Sequence, residues 1–400
     1  LPAAGWLMEV VNGPHERFEQ VVSVRLTPEQ AADLGGAHLV EVDAPGHPAV
    51  AAAVDRSGAD PVLACVLPGI TLPGAVRRFA VAADVPAAAP PGDLEVVGGA
   101  DTIVVRNAYF EVTHPRRGGG GFPRDLRFRL SGRQDPDLYF YDRLFRRDGE
   151  GSYRGQYVAN ADAEATAEVV FASPVRVVIE APTRYVRNGE PAPGNPRAVY
   201  RYVYAPFSPV VEVTALTVRD DDLPWHEQHF LHLSRQNLHY TSWATGEPPA
   251  EHAMQTPGTR SVSRSGSSWA VLSTAADAAG VGGGPVTCWD ASDEFVYYVV
   301  RSRSGWLNRE QRLAGSLYIG PASADLLWYS RWLSPDAAPR VQIVAASASA
   351  AGVPGESLPP AAHRLENASL RLHFAAAEAG FACMAVENLL TGTRFVHPRE

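Results

Sequence analysis

Two stretches of the chain, roughly 260 residues apart, repeat one pattern. The first reads Arg106-Asn107-Ala108-Tyr109-Phe110-Glu111-Val112 and, after a turn, Gly121-Phe122. The second reads Glu366-Asn367-Ala368-Ser369-Leu370-Arg371-Leu372 and, after a turn, Gly380-Phe381. Each is a polar residue, an Asn, a strand apolar at every second position, a Gly-rich turn and a return strand. Side chains alternate faces along a strand, so such a pattern buries one side of a sheet and wets the other. A large antiparallel β-domain opens in this way. The first copy has a long stretch after it in which to finish, and the second has about twenty residues. The expectation is one complete β-unit plus the opening strands of another, with a further domain beyond residue 400.

The rest of the chain fits an all-β class. Residues 1–90 hold short alternating runs at Val21–Leu26, His38–Val42, Val62–Leu67 and Arg77–Val81, separated by Pro/Gly turns. That spacing predicts a small β-sandwich or barrel. Thr27 and Pro28 are placed to start one short helix, as cap and first-turn residue. A Pro/Ala-rich linker follows at 85–93. Residues 94–345 read as a large antiparallel β-supersandwich of around a dozen strands. They include Val175–Glu180, Tyr200–Tyr204, Val210–Val218, Phe295–Val300 and Leu326–Ser330. A second linker covers 345–360, and 361–400 is the truncated repeat. Gly118–Gly121 lacks the Lys-Ser/Thr and the helix of a phosphate loop, so it reads as a flexible hairpin turn.

Composition excludes several classes. Hydrophobic residues make up 46% and charged residues 20%, enough for a packed core. A net charge of −9 argues against nucleic acid as the main partner. All 35 basic residues are Arg, so Schiff-base and Lys-base mechanisms are excluded within this segment. Cys65, Cys288 and Cys383 match neither a disulfide framework nor a CxxC metal site. No apolar run is long enough to span a membrane as a helix.

The order Ser173-Pro174-Val175-Arg176-Val177-Val178-Ile179, Tyr200–Tyr204, Ser208–Val213 resembles the supersandwich domains of the galactose-mutarotase-like superfamily. So do the Asn-led opening strand and the ending Val386–Phe395. Such domains occur in polysaccharide lyases, glycoside hydrolases and sugar epimerases. The resemblance implies a carbohydrate-active protein of bacterial type, secreted or periplasmic, with a glycan as substrate. It leans to a lyase working by β-elimination on a uronate-containing glycan, with a glycoside hydrolase close behind. The alternative is a non-catalytic glycan-binding or scaffolding module of a larger enzyme. Calcium accompanies related proteins, but no Asp-x-Asp-x-Asp-Gly loop supports it here, and no cofactor is expected.

Four of the twelve His fall within Trp225–His239. Strict alternation puts Glu227 and His229 on one strand face with Leu231 and Leu233, and His226 and His232 on the other with Phe230. Three readings stay open. His226 or His229 as base and Tyr240 as acid, with Arg on the carboxylate, would serve proton abstraction α to a uronate. Glu227 and His229 could be two metal ligands, though no third has diagnostic spacing, and no metal is assigned. The plainest reading is hydrogen-bonded histidines on a half-wet sheet. His239, Trp243, Arg154, Trp306 and Arg309 are the candidate sugar contacts, since indole faces stack on sugar rings and Arg grips carboxylates. Arg143, Arg146, Arg147, Arg154 and Tyr157 surround a loop signature, 148–151; an anionic-sugar subsite is one reading of them, and solvated loop residues are the plainer one.

Overall fold

The computed structural model describes residues 5–35, 38–44, 46–83, 85–135, 138–147, 153–221, 225, 227–235, 240–246, 248–253, 262–290, 294–301, 309–346, 363–366, 370–377, 380–388 and 393–396. The chain is all-β and divides into two compact units. One unit contains residues 1–91 and 339–400, the other 92–338.

The first unit packs a five-stranded sheet on a three-stranded one. The larger runs in the order Arg340–Ala345, Trp6–Val11, Val76–Ala82, His38–Glu41, Ala49–Val50. The smaller is Arg17–Arg25, Val62–Thr71, Ala52–Asp55. Met8, Val10, Leu39, Leu63, Cys65 and Phe79 fill the core between them. Thr27 caps the helix Pro28–Asp33, its side chain accepting from the Gln30 amide while the Gln30 side chain accepts from the Thr27 amide. Arg340–Ala345, which the sequence placed at the end of the large sandwich, instead pairs antiparallel with Trp6–Val11. Val341 and Ile343 alternate inward and pack on this unit's core, which is why the strand belongs here. The repeat near the C-terminus forms a four-stranded antiparallel sheet, His363–Glu366, Leu370–Ala377, Gly380–Asn388 and Thr393–Val396.

The second unit is a large sandwich. A fifteen-stranded antiparallel sheet and a five-stranded one, running from Glu95–Gly98 to Gln134–Asp135, enclose one core. Tyr200, Tyr202 and Tyr204 point inward at every second position of Arg197–Tyr204 and are fully buried. Asn107, the Asn of the opening repeat, ties the two sheets. Its Nδ2 donates to the carbonyls of Ala205 and Ser208, and its Oδ1 accepts from the amides of Tyr109 and Phe110. Leu326–Ser330 is not a strand. Leu326–Leu333 is a two-turn helix because Asp325 caps it, accepting from the Leu327 amide, and because Tyr329 and Leu333 fall on one buried face.

Gly118–Gly121 is not a flexible turn either. All four glycines have positive φ, between 59° and 69°. The turn is packed against its neighbours: a Cβ on Gly120 would lie 2.6 Å from the Ala159 carbonyl, and one on Gly121 2.6 Å from the Ala181 side chain. Beside it, buried His114 holds the Gly121 carbonyl through Nδ1 at 2.7 Å and meets Tyr204 Oη through Nε2. The left-handed backbone disfavours a side chain at all four positions, and at Gly120 and Gly121 the lack of space excludes one as well. Gly120→Ala should therefore lower stability by about 2 kcal/mol or more. Chemical denaturation measures this, and an unchanged midpoint would refute the packing.

Candidate functional site

The strand Glu227–Arg235 lies between Leu138–Arg147 and Glu294–Arg301 in the large sheet. Against Leu138–Arg147 its register runs Phe145↔Glu227, Arg143↔His229, then Tyr141↔His232. Two steps on one strand face three on the other, which is a β-bulge. Leu231 sits in it at φ 50°, a left-handed backbone that a bulky side chain rarely adopts. Its side chain is buried in the core. The extra residue reverses the alternation. His232 therefore joins Glu227 and His229 on one face, and the assignment of His232 to the opposite face is corrected.

Six side chains meet on that face: Tyr141, Arg143 and Phe145 from one strand, Glu227, His229 and His232 from the other. Arg143 Nε donates to His229 Nδ1 at 3.1 Å, and His229 Nε2 lies 2.9 Å from Glu227 Oε2. A guanidinium can only donate, so Nδ1 accepts and the ring proton sits on Nε2, facing Glu227. Both nitrogens of His229 are thus engaged. Tyr141 Oη lies 3.2 Å from His232 Nε2, and the two rings stack with centroids 4.3 Å apart. The His229 and His232 rings are 5.7 Å apart. The Arg143 guanidinium lies 5.5 Å from the Tyr141 ring centre and 4.7 Å from that of Phe145. The face is closed: none of the six exceeds 9% exposure. The His232 imidazole is held well below its usual pKa, first by burial, then by the Arg143 charge and the neighbouring His229. It is neutral at neutral pH.

The opposite face of the same two strands carries a second polar set, sunk in the core. Asp142 Oδ2 accepts from Tyr200 Oη at 2.7 Å, Gln228 Nε2 at 2.7 Å and Tyr185 Oη at 3.0 Å. Burial pushes the Asp142 carboxyl up to about 7, against the pull of these three donors.

Tyr240, expected to be the acid, belongs to another network. Its hydroxyl donates to Asp135 Oδ2 at 2.9 Å and receives a bond from Arg133, which also pairs with Asp277. Its phenol is raised by burial and then by the Asp135 charge. No residue is common to the hydrogen bonds of this network and those joining His229 to Arg143 and Glu227. Trp243 is buried with its ring 4.1 Å from that of His252. Arg309 is exposed, and its carbonyl accepts from the Arg219 amide. Arg154 lies on the strand Tyr153–Val158; its side chain, together with His226, His239 and Trp306, lies outside the described residues. Arg143 is not a loop residue but a buried strand residue, and with Tyr141 it was missed as a partner of the histidines. The alternation Tyr141-Asp142-Arg143-Leu144-Phe145 was the available signal. Among the described residues no three His, Cys, Asp or Glu side chains are grouped to hold a metal ion.

No protein-family model matches the chain, and no curated protein matches it by sequence. Solved structures do. An α-mannosidase from Enterococcus faecalis V583 aligns with 97% of this chain and 51% of its own at 9% identity and a TM-score of 0.59. A glycosyl hydrolase family 38 protein from Enterococcus faecalis aligns with 97% of this chain and 53% of its own, at 11% identity and a TM-score of 0.58. This chain spans about half the length of both. A galactose mutarotase related enzyme from Lactobacillus acidophilus covers 56% of this chain and 98% of its own at 10% identity, with a TM-score of 0.34. The all-β fold expected from the sequence is met, and the likeness to the two Enterococcus chains is one of fold.

A buried carboxyl raised from 3.8 to about 7 makes stability depend on pH. Its contribution is complete below the unfolded value and is lost as pH rises through the folded one, because the folded state must then bury a charge. Asp142→Asn keeps an acceptor for the three donors and removes that charge. The stability of the variant relative to the parent should rise between pH 5 and pH 8, by at most about 3 kcal/mol. Denaturant midpoints across that range measure it, and a constant difference would refute the assignment.

Proposed function

We propose that this chain belongs to a carbohydrate-active enzyme, and that its own acid/base chemistry centres on His232 and Tyr141 beside Arg143. The observation that carries this reading is the bulge at Leu231, which brings an imidazole, a phenol and a guanidinium onto one face of the large sheet. The likeness of fold to chains described as an α-mannosidase and a family 38 glycosyl hydrolase supports the carbohydrate assignment.

The set suits β-elimination on a uronate-containing glycan. Arg143 neutralises the uronate carboxylate, which acidifies the proton α to it. Neutral His232 takes that proton, and its electron pair forms the ring double bond. The β C–O bond breaks, and Tyr141 protonates the departing oxygen. His229, with Nδ1 committed to Arg143, orients that guanidinium. A hydrolase needs two carboxylates facing one bond. Of the two acidic groups on these strands, Glu227 is engaged by His229 and Asp142 faces the core. A polysaccharide substrate lies outside the cell, so a secreted or periplasmic location is part of the proposal.

One observation favours a second reading, a glycan-binding module of a longer enzyme: the six side chains are closed off from solvent. A single assay separates the readings. The protein is incubated with uronic-acid polysaccharides and with neutral mannosides, and unsaturated product is followed by its absorbance. Unsaturated product should form from the acidic glycans alone. His232→Ala should lower that rate at least ~100-fold, with Tyr141→Phe also impaired. Glycan binding without product would establish the module, and release of reducing sugar without unsaturation would establish a hydrolase.

A further inference from the structure

Beside the six-residue cluster, on the same face of the large sheet, lies a hollow of about 540 Å³. Strand register shows the continuity. Gln156 stands opposite Phe145, which stands opposite Glu227; Val158 stands opposite Arg143, which stands opposite His229. Opposed residues share a face, so Gln156 and Val158 line the same wall as the histidines. Val186 pairs with Val158 and extends the wall by one strand. Phe145 belongs to both sites: it lines the hollow, and its ring lies 4.7 Å from that of His229. The hairpin turn at Asn188 and Gly189, with φ of 51° and 83°, closes one end.

The lining is mixed in a particular way. Phe145, Val158 and Val186 offer apolar surface, and Gln156 and Asn188 offer amides that both donate and accept. Among the described residues of the lining, Arg187 carries the one formal charge and none is a carboxylate. The Arg187 side chain is exposed and makes no hydrogen bond or ion pair among the described residues. The volume falls within the range of about 300–1,000 Å³ usual for small-ligand sites. Apolar wall, amide pair and one unneutralised guanidinium together match a sugar ring that carries a carboxylate.

Resting on the function proposed above, we infer that this hollow is the subsite for an acidic sugar residue of the glycan, next to the residue that reacts at His232. Arg187 grips its carboxylate as a two-pronged donor, Gln156 and Asn188 meet its hydroxyls, and Phe145 divides it from the reacting sugar. Arg187 thereby selects acidic over neutral glycans.

Calorimetric titration with trigalacturonate and with mannotriose tests this on the full chain and on Arg187→Gln and Gln156→Ala. Arg187 and Gln156 are both exposed, so neither change disturbs the core. The parent should bind trigalacturonate more tightly than mannotriose. Arg187→Gln should weaken trigalacturonate about tenfold or more and leave mannotriose unchanged. Gln156→Ala should weaken both by a smaller factor. Equal trigalacturonate affinity in the parent and Arg187→Gln would overturn the subsite while leaving the function standing. No binding of either sugar by the parent would overturn both.

Discussion

One extra residue on one strand determines which side chains share a face of the large sheet. Without the bulge at Leu231, His232 would turn into the core beside Phe230, and Glu227 and His229 would have only Tyr141, Arg143 and Phe145 opposite them. With it, two imidazoles, a phenol, a guanidinium and a carboxylate share one face. The left-handed backbone at Leu231 is unfavourable by about 1–3 kcal/mol, so the surrounding structure must hold it in place. The Leu231 side chain is part of that hold. It is buried, and its Cδ1 would lie 2.7 Å from a Cβ placed on Gly315, so a larger residue there would disturb the bulge.

The two strands carry polar groups on both faces, and the two sets differ in kind. On the site face one positive and one negative charge are joined through an imidazole: Arg143 donates to His229, and His229 reaches Glu227. On the core face, Asp142 is alone among neutral donors. A lone carboxylate in a dry core is tolerated when it is protonated or richly hydrogen-bonded. Asp142 is close to both conditions, raised to about 7 and holding three donors on one oxygen. These bonds reach from Leu138–Arg147 to Tyr185, Tyr200 and Gln228, so they fix the depth at which the site strands sit on the sandwich.

Much of the architecture was legible because period-two patterns were long and Pro/Gly turns well placed. The tyrosine strand at Tyr200–Tyr204 and the capped turn at Thr27 are examples. The Asn-led repeat was readable as an opening strand, and Asn107 shows why an Asn stands there: it bonds four backbone groups at once. The failures have physical causes. Leu326–Leu333 looks like a strand because its apolar run is short, and only the Asp325 cap and the spacing of Tyr329 and Leu333 show a helix. Arg340–Ala345 alternates properly, but which core it alternates toward is a long-range fact. The bulge left no mark in composition, since Leu at that position is an ordinary core residue. Tyr240 and His229 are eleven residues apart in sequence and were grouped on that ground alone. Distance along the chain does not reveal that Asp135 and Arg133 hold one while Arg143 holds the other.

The most direct test of the bulge is the set of side-chain nuclear Overhauser contacts of His232 in solution. Contacts from the His232 ring to the rings of Tyr141 and His229 are predicted. Contacts to Phe140 and Leu144, on the core-facing side of the neighbouring strand, would contradict the account and dissolve the proposed site.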